Sequence, residues 1–433
     1  MEGKKIKLKI SLIILAVIIF LITGLFVYFT IDESPYNDNH LLIKREVVSE
    51  EENGFNEIKA SLKWYVKAEN INKSQSVYIS KLELDKRKEL LNKIAFVEDG
   101  HKEIDETFLL EYLKINQKSL NALLSLLNYN KFYFGAQPKL FDEDKISQLI
   151  EIHNITMPLM AKSRYYFDRD EKLKQLALFK KCFLISNIID ENCISVFGNI
   201  ASYKFTGEIV NKIIENLKIN KFKAEGVYNV LGDLEKFKSK PESYVSLLKS
   251  NYLMMKTTTL TQQNIDKHDI SFMKIYSKFL VKINMTNRKI GEAFTSSIAN
   301  SEGGYEKSAL KSNNSDEFLM RFNSNSLGNI LVVVLLPAVD VWRRYYYINN
   351  SRLVLLNTLI ALIRFDKKYS KLPDRLEQLI PEFLVKLPID PFNNDPINYS
   401  KIERKVWSKG FEILNKSGLP LVEEKELFLI IPF

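Results

Sequence analysis

Cysteine, histidine, glycine and proline are all scarce in this 433-residue chain, which has 2 Cys, 4 His, 15 Gly and 12 Pro. Two thiols cannot build a disulfide scaffold, and four scattered histidines add no zinc cluster. So little glycine and proline excludes collagen-like and proline-rich low-complexity chains. Catalytic signatures are missing as well: there is no Gly-x-Ser-x-Gly, P-loop, dinucleotide fingerprint or His-Glu-x-x-His. His40, His101, His153 and His268 lie far apart and outside any such motif. The sequence names no reaction, no catalytic residue, no cofactor and no metal site, and it leans away from an enzyme.

What is present is apolar. Hydrophobic residues make up 46% of the chain and aromatic residues 12%, too rich for a disordered tail. The length suits about two or three domains. The most distinctive stretch is Ile10 to Ile31, 22 residues without a charge. As a helix it spans about 33 Å, enough for a bilayer core of about 30 Å. Lys4, Lys5, Lys7 and Lys9 precede it, and Asp32, Glu33 and Asp38 follow. The positive-inside rule then puts residues 1–9 in the cytoplasm and the bulk of the chain outside it, in the periplasm of a bacterium. The exit Tyr28-Phe29-Thr30-Ile31 is bulky, which favours an uncleaved transmembrane helix over 10–31 rather than a signal peptide.

The formal net charge is +9, of which +3 falls in the N-terminal tail. Elsewhere Lys and Glu interleave, as in Glu83-Leu84-Asp85-Lys86-Arg87-Lys88-Glu89. Such runs are solvated helix faces, so nucleic acid is not expected as a partner. The expected partners are the membrane and envelope proteins. Cys182 and Cys193, eleven positions apart, would sit about 16 Å apart on a continuous helix, beyond the roughly 7 Å a disulfide allows. Either the chain turns near Asp190-Glu191-Asn192 and they pair, or both are small buried hydrophobes, which is the favoured reading.

Residues 32–300 read as a helical extracytoplasmic domain. Asp142 suits the cap of a helix carrying Ile146, Leu149, Ile150, His153 and Met157, which Pro158 ends or kinks. Glu103 to Leu127 reads as one helix, and Leu176, Phe179 and Phe183 mark another. His153, on an apolar face, reads as a core residue. Residues 301–316 are polar and contain Gly303-Gly304, a linker pattern. Within 317–433, Ile330–Leu336 reads as a short buried segment closed by Pro337, followed by a helix over about Asp340–Lys368 that is apolar nearly all round. Arg343, Arg344, Arg352 and Arg364 on that helix read as snorkelling or capping residues. Tyr345-Tyr346-Tyr347 reads as core packing.

The most specific pattern is C-terminal. Pro373 suits the first turn of a short helix with Leu376, Leu379 and Ile380. Asp390-Pro391-Phe392 opens a turn in which Asn394 can be left-handed, and Pro396 follows. Tyr399 and Trp407-Ser408-Lys409-Gly410 fit a small hairpin, with Leu427–Ile431 as a third strand. This order resembles the C-terminal region of type II secretion major pseudopilins. It is more similar still to a module that ends many uncharacterised bacterial membrane-anchored proteins, in which an Asn-Pro-x-Gly-Lys-x-Leu-Leu stretch precedes a buried helix. Asn325-Ser326-Leu327-Gly328-Asn329-Ile330-Leu331 is similar to that stretch. The resemblance covers about residues 325–415 and implies a local fold. Asn394 stands where the family has Gly. The acidic calcium loop of the pseudopilins is replaced by Phe-Glu-Ile-Leu-Asn-Lys-Ser-Gly after Gly410, so no calcium is implied. The whole reads as mainly α: an N-terminal transmembrane helix, an irregular helical bundle and a small C-terminal α+β module. It is expected to be a non-enzymatic envelope scaffold or assembly protein, the alternative being an anchored envelope hydrolase.

Overall fold

In a computed structural model of the chain, the residues described are 18–24, 32–43, 48–67, 106–132, 151–192, 196–261, 282–310, 325–416 and 427–432. The protein is mainly helical, with one small three-stranded antiparallel sheet near the C-terminus. The helices are α1 (Phe55–Trp64), α2 (Glu106–Ile115), α3 (Gln117–Ser125), α4 (Met157–Asp168), α5 (Lys172–Asn192), α6 (Val196–Lys218), α7 (Ala224–Leu231), α8 (Pro241–Thr261), α9 (Ile283–Ala299), α10 (Ser326–Tyr369) and α11 (Gly410–Lys416). The strands are β1 (Asn398–Ser400), β2 (Lys405–Trp407) and β3 (Phe428–Ile430).

The chain forms two compact units. One comprises Met1–Leu42, Asn251–Ile298 and Leu310–Asp340; the other comprises Ile43–Ser250, Ala299–Ala309 and Val341–Phe433. In the first unit, the segment after residue 31 is strapped along α9. The Asp32 carboxylate accepts the N–H groups of Asn284 (2.7 Å) and Met285 (3.2 Å), two of the donors that a helix N-terminus leaves unmatched. Glu33 pairs with Arg288 at 3.0 Å. Tyr36 lies on Gly291, where a Cβ would stand 2.2 Å from the ring. His40 Nε2 meets Thr295 Oγ1 at 2.7 Å. Asp38 accepts hydrogen bonds from Tyr252 and Lys256 of α8, both at 2.5 Å. Burial pushes the Asp38 carboxyl up, but these two donors outweigh burial and hold it below its ordinary range.

In the same unit the Asn325–Gly328 stretch packs on α9. Asn325 Oδ1 accepts the Lys282 N–H at 2.7 Å and the Thr286 hydroxyl at 3.3 Å. A Cβ on Gly328 would stand 2.1 Å from Thr286 Oγ1.

The second unit holds the main core. Helix α5 buries Leu176, Phe179, Cys182, Phe183, Ile185 and Ile189, spaced three and four apart and joined in one cluster with α6 and α10. Phe183 stacks on Phe237 at 4.8 Å. Cys182 is fully buried and free, and burial drives its thiol pKa upward, which makes it inert. Cys193 lies outside the described residues.

Several boundaries differ from those expected. The helix expected over Glu103–Leu127 is two helices, broken at Asn116. Its buried amide accepts the Val66 N–H at 2.9 Å and donates to the Val66 carbonyl at 3.2 Å, a local alternative to continuing the helix. The helical residues 151–154 do give way to a turn at 155–156, and Pro158 then stands in the first turn of α4, where its missing N–H costs nothing. Asp142, proposed as a cap, lies outside the described residues. Ile330–Leu336 is not a separate segment closed by Pro337. Helix α10 runs through it, 44 residues and about 66 Å long. Proline removes one hydrogen bond of the ladder, and the burial of Val332, Leu336 and Val339 around it offsets that cost. Pro373 precedes, rather than opens, the short 3-10 turn Leu376–Leu379.

The described part of the 301–316 stretch is packed. Tyr305 and Ser308 are buried, and the Tyr305 N–H donates to the Phe392 carbonyl at 2.8 Å. Of the residues 10–31 expected to span a membrane, 18–24 are described, and they are helical. Among the described residues no helix is long and apolar enough to cross a membrane.

Candidate functional site

The C-terminal motif converges on Asp390. Its carboxylate accepts the Ser408 hydroxyl at 2.9 Å to each oxygen, the Lys409 N–H at 2.7 Å and the Phe392 N–H at 3.1 Å. The Ser351 hydroxyl of α10 approaches at 3.5 Å. Burial pushes this carboxyl up, and the backbone and hydroxyl donors pull it back without cancelling the rise. The Asp390 N–H and carbonyl bond to the Asp395 carbonyl and the Asn394 N–H, closing the turn that holds Pro391. Asn394 takes φ +62°, the left-handed conformation that glycine adopts freely and asparagine tolerates. Its amide donates to the Glu302 carbonyl at 2.6 Å. Pro396 bridges Ile389 on the far side. The Tyr399 hydroxyl donates to the Pro373 carbonyl at 2.9 Å, which ties β1 to the preceding turn. Trp407 pairs with Asn398 of β1 and Phe428 of β3.

Phe392 joins this turn to the helices. It contacts the rings of Tyr305 and Tyr347 at 5.5 and 5.6 Å. Gly410 leaves it room, since a Cβ there would lie 2.4 Å from the Phe392 ring. Arg343 departs from the snorkelling reading. It is fully buried, donating to the Tyr244 hydroxyl (2.9 Å), the Tyr305 carbonyl (2.6 Å) and the Ser308 hydroxyl (3.1 Å), with its guanidinium over the Tyr305 ring. Tyr346 and Tyr347 are core residues.

A second constellation pairs His153, in the helical residues 151–154, with Glu208 of α6. His153 Nε2 is 3.4 Å from Glu208 Oε1, and His153 Nδ1 is buried without a hydrogen-bond partner. Burial, with Lys204 nearby, lowers the imidazole from its ordinary 6.5 to about 4. Burial likewise raises Glu208 to about 7, against the pull of Lys212 and Lys204. The pair is thus a neutral imidazole beside a carboxyl that exchanges its proton near neutrality, the range suited to general acid–base work. His153, expected to be a core residue, is half-buried and has an acidic neighbour. Glu208 escaped notice because 55 positions separate the two. The available signal was the row Lys204, Glu208, Lys212, which reads as a solvated face; Lys204 is exposed, whereas Glu208 and Lys212 are half-buried. His40 pairs with Thr295, while His101 and His268 lie outside the described residues. Among the described residues no cluster of three or more His, Cys, Asp or Glu is placed to hold a metal.

No family model, no curated protein and no solved structure matches the chain.

Proposed function

We propose that this is a membrane-anchored protein of the bacterial envelope, held in the inner membrane by residues 10–31, with the bulk of the chain in the periplasm serving as a non-enzymatic scaffold or assembly protein. The observation that carries the reading is the helical stretch 18–24. Ile18, Ile19, Phe20, Leu21 and Ile22 are 46, 55, 75, 58 and 60% exposed, so consecutive apolar side chains point outward all round the helix. Water penalises such a surface, and hydrocarbon accepts it. The lysines before the apolar run and the acids after it set the orientation. A scaffold fits the C-terminal motif, whose one buried carboxylate is saturated by donors from its own turn and strand. The likeness of residues 325–415 to modules of envelope and secretion proteins points the same way.

Cell fractionation tests the anchor: the full-length protein should stay with membranes through carbonate washing and yield only to detergent. Release by carbonate would refute it. Cross-linking in intact cells, followed by mass spectrometry, tests the scaffold. A defined set of envelope or secretion components is expected, and a partnerless monomer would overturn the reading.

One observation favours the second reading, an anchored hydrolase: the His153–Glu208 pair. That reading requires hydrolysis of a purified envelope polymer that is lost in both His153→Gln and Glu208→Gln. Hydrolysis unchanged in either variant, or absent from the parent, removes it.

A further inference from the structure

We infer that the outward ridge of α5 docks on an anionic lipid surface, through Leu173 and Leu184 at the headgroup boundary and the amines of Lys162, Lys180, Lys181 and Lys236 on lipid phosphates. All of these residues belong to the second unit. One face of α5 is buried in the main core, but the other carries Leu173, Ala177, Lys180 and Leu184, all exposed. At 3.6 residues per turn these four lie within about 60° of one another around the axis, along about 17 Å of helix. Leu173 is 70% exposed and Leu184 40%. A lone exposed leucine is ordinary, but here two stand in line with a pair of lysines between them.

The neighbouring elements add lysines on both sides. Lys162 of α4 is close enough to Lys181 for the two to repel, and with burial this lowers the Lys162 amine below its ordinary range. On the other side Phe237 stacks on Phe183, which brings Lys236 beside Lys180. Burial and that second lysine lower the Lys236 amine in the same direction. Among the described residues none of the four lysines forms an ion pair, although paired lysines lie close by, as in Lys174–Glu171 at 3.0 Å and Lys240–Glu191 at 2.8 Å. Asp233 is the acid near Lys236, and its carboxylate already accepts the Glu235 N–H and the Asn357 amide, both at 2.9 Å.

Four like charges gathered where the fold supplies no free acid are complementary to an anionic surface outside the chain. The shape selects which. A docked partner helix lies in an apolar groove, whereas these leucines stand on the crest of a helix. A crest fits a soft, flat boundary, where short apolar side chains sink in and lysine stems carry their amines up to the phosphates. The choice of a bilayer over an acidic protein also rests on the anchor proposed above, which keeps the chain beside one. The ridge is a separate contact, made by the bulk of the chain.

The test is photo-crosslinking of the full-length protein in vesicles of phosphatidylcholine alone or of an equal mixture with phosphatidylglycerol. A benzophenone side chain replaces Ala177 on the ridge or, as the control, Ile402, which is 97% exposed in the turn between β1 and β2. Lipid adducts are expected at position 177 in the mixed vesicles, and few at 402 or in phosphatidylcholine alone. High NaCl should reduce them. The double change Lys180→Glu and Lys181→Glu should cut them about tenfold or more. The comparison of the two lipids and the two positions needs no charge-reversed protein, so it stands even if that variant folds poorly. Adducts that are absent from mixed vesicles, equal at 402, or equal in phosphatidylcholine overturn the proposal. So does a ridge that cross-links in cells to an acidic protein and not to lipid. Carbonate extraction of the same vesicles reads the anchor by itself, so either idea can fail alone.

Discussion

Replacing Glu208 with glutamine should unmask the titration of His153, because in the parent protein the two residues oppose each other. His153 drops from its ordinary 6.5 to about 4 in the folded state, so between those values the unfolded chain binds the extra proton and stability falls as pH falls. Glu208 rises from 4.5 to about 7, so between those values the folded state binds the extra proton and stability rises as pH falls. Over the shared window of pH 4.5 to 6.5 the slopes cancel. Each shift spans about 2.5 pH units, a ceiling near 3 kcal/mol at 1.36 kcal/mol per unit. The side chains keep 26 and 29% exposure, which reduces the working figure to roughly 2 kcal/mol. The assay is the unfolding midpoint of the full-length protein from pH 4.5 to 7, taken as the difference between variant and parent so that other groups drop out. Relative to the parent, Glu208→Gln should lose stability as pH falls, and His153→Gln should gain it. Differences that are flat in both variants, or that slope the same way, would refute the opposed titration.

Other outcomes follow from packing. Asp390→Ala leaves the Ser408 hydroxyl and the Lys409 and Phe392 N–H groups unmatched in a buried turn and should cost roughly 2–4 kcal/mol in denaturant unfolding. Gly410→Ala drives a methyl into the Phe392 ring and should cost about 1–3 kcal/mol. Gly291→Ala displaces Tyr36 from α9 at a similar cost of about 1–3 kcal/mol, read as faster proteolysis within residues 32–42.

The elements that were legible in the sequence are those fixed by local pattern. The spacing of Leu176, Phe179 and Phe183 locates α5, and the alternation of Ile397 with Tyr399, and of Val406 with Ser408 and Gly410, anticipates the hairpin of β1 and β2. The left-handed Asn394 follows from turn chemistry alone. Features set by distant partners were not legible. Pro337 signals a stop, and only the burial of the apolar residues around it lets α10 continue. Asn116 breaks a helix because Val66 offers its amide a better arrangement. Arg343 becomes a buried anchor because Tyr244 arrives from one distant stretch and Tyr305 with Ser308 from another. The pairing of His153 with Glu208 of α6 joins two residues that no periodicity connects.

The strap along α9 also governs how far the first unit can stray. Eleven residues left slack after position 31 would act as a leash of about 35 Å. Asp32, Glu33, Tyr36, Asp38 and His40 are instead committed to α8 and α9 within the first turns after the apolar run. If residues 10–31 form the proposed anchor, the chain after position 31 adds little tether to it, because these residues are spent on α8 and α9.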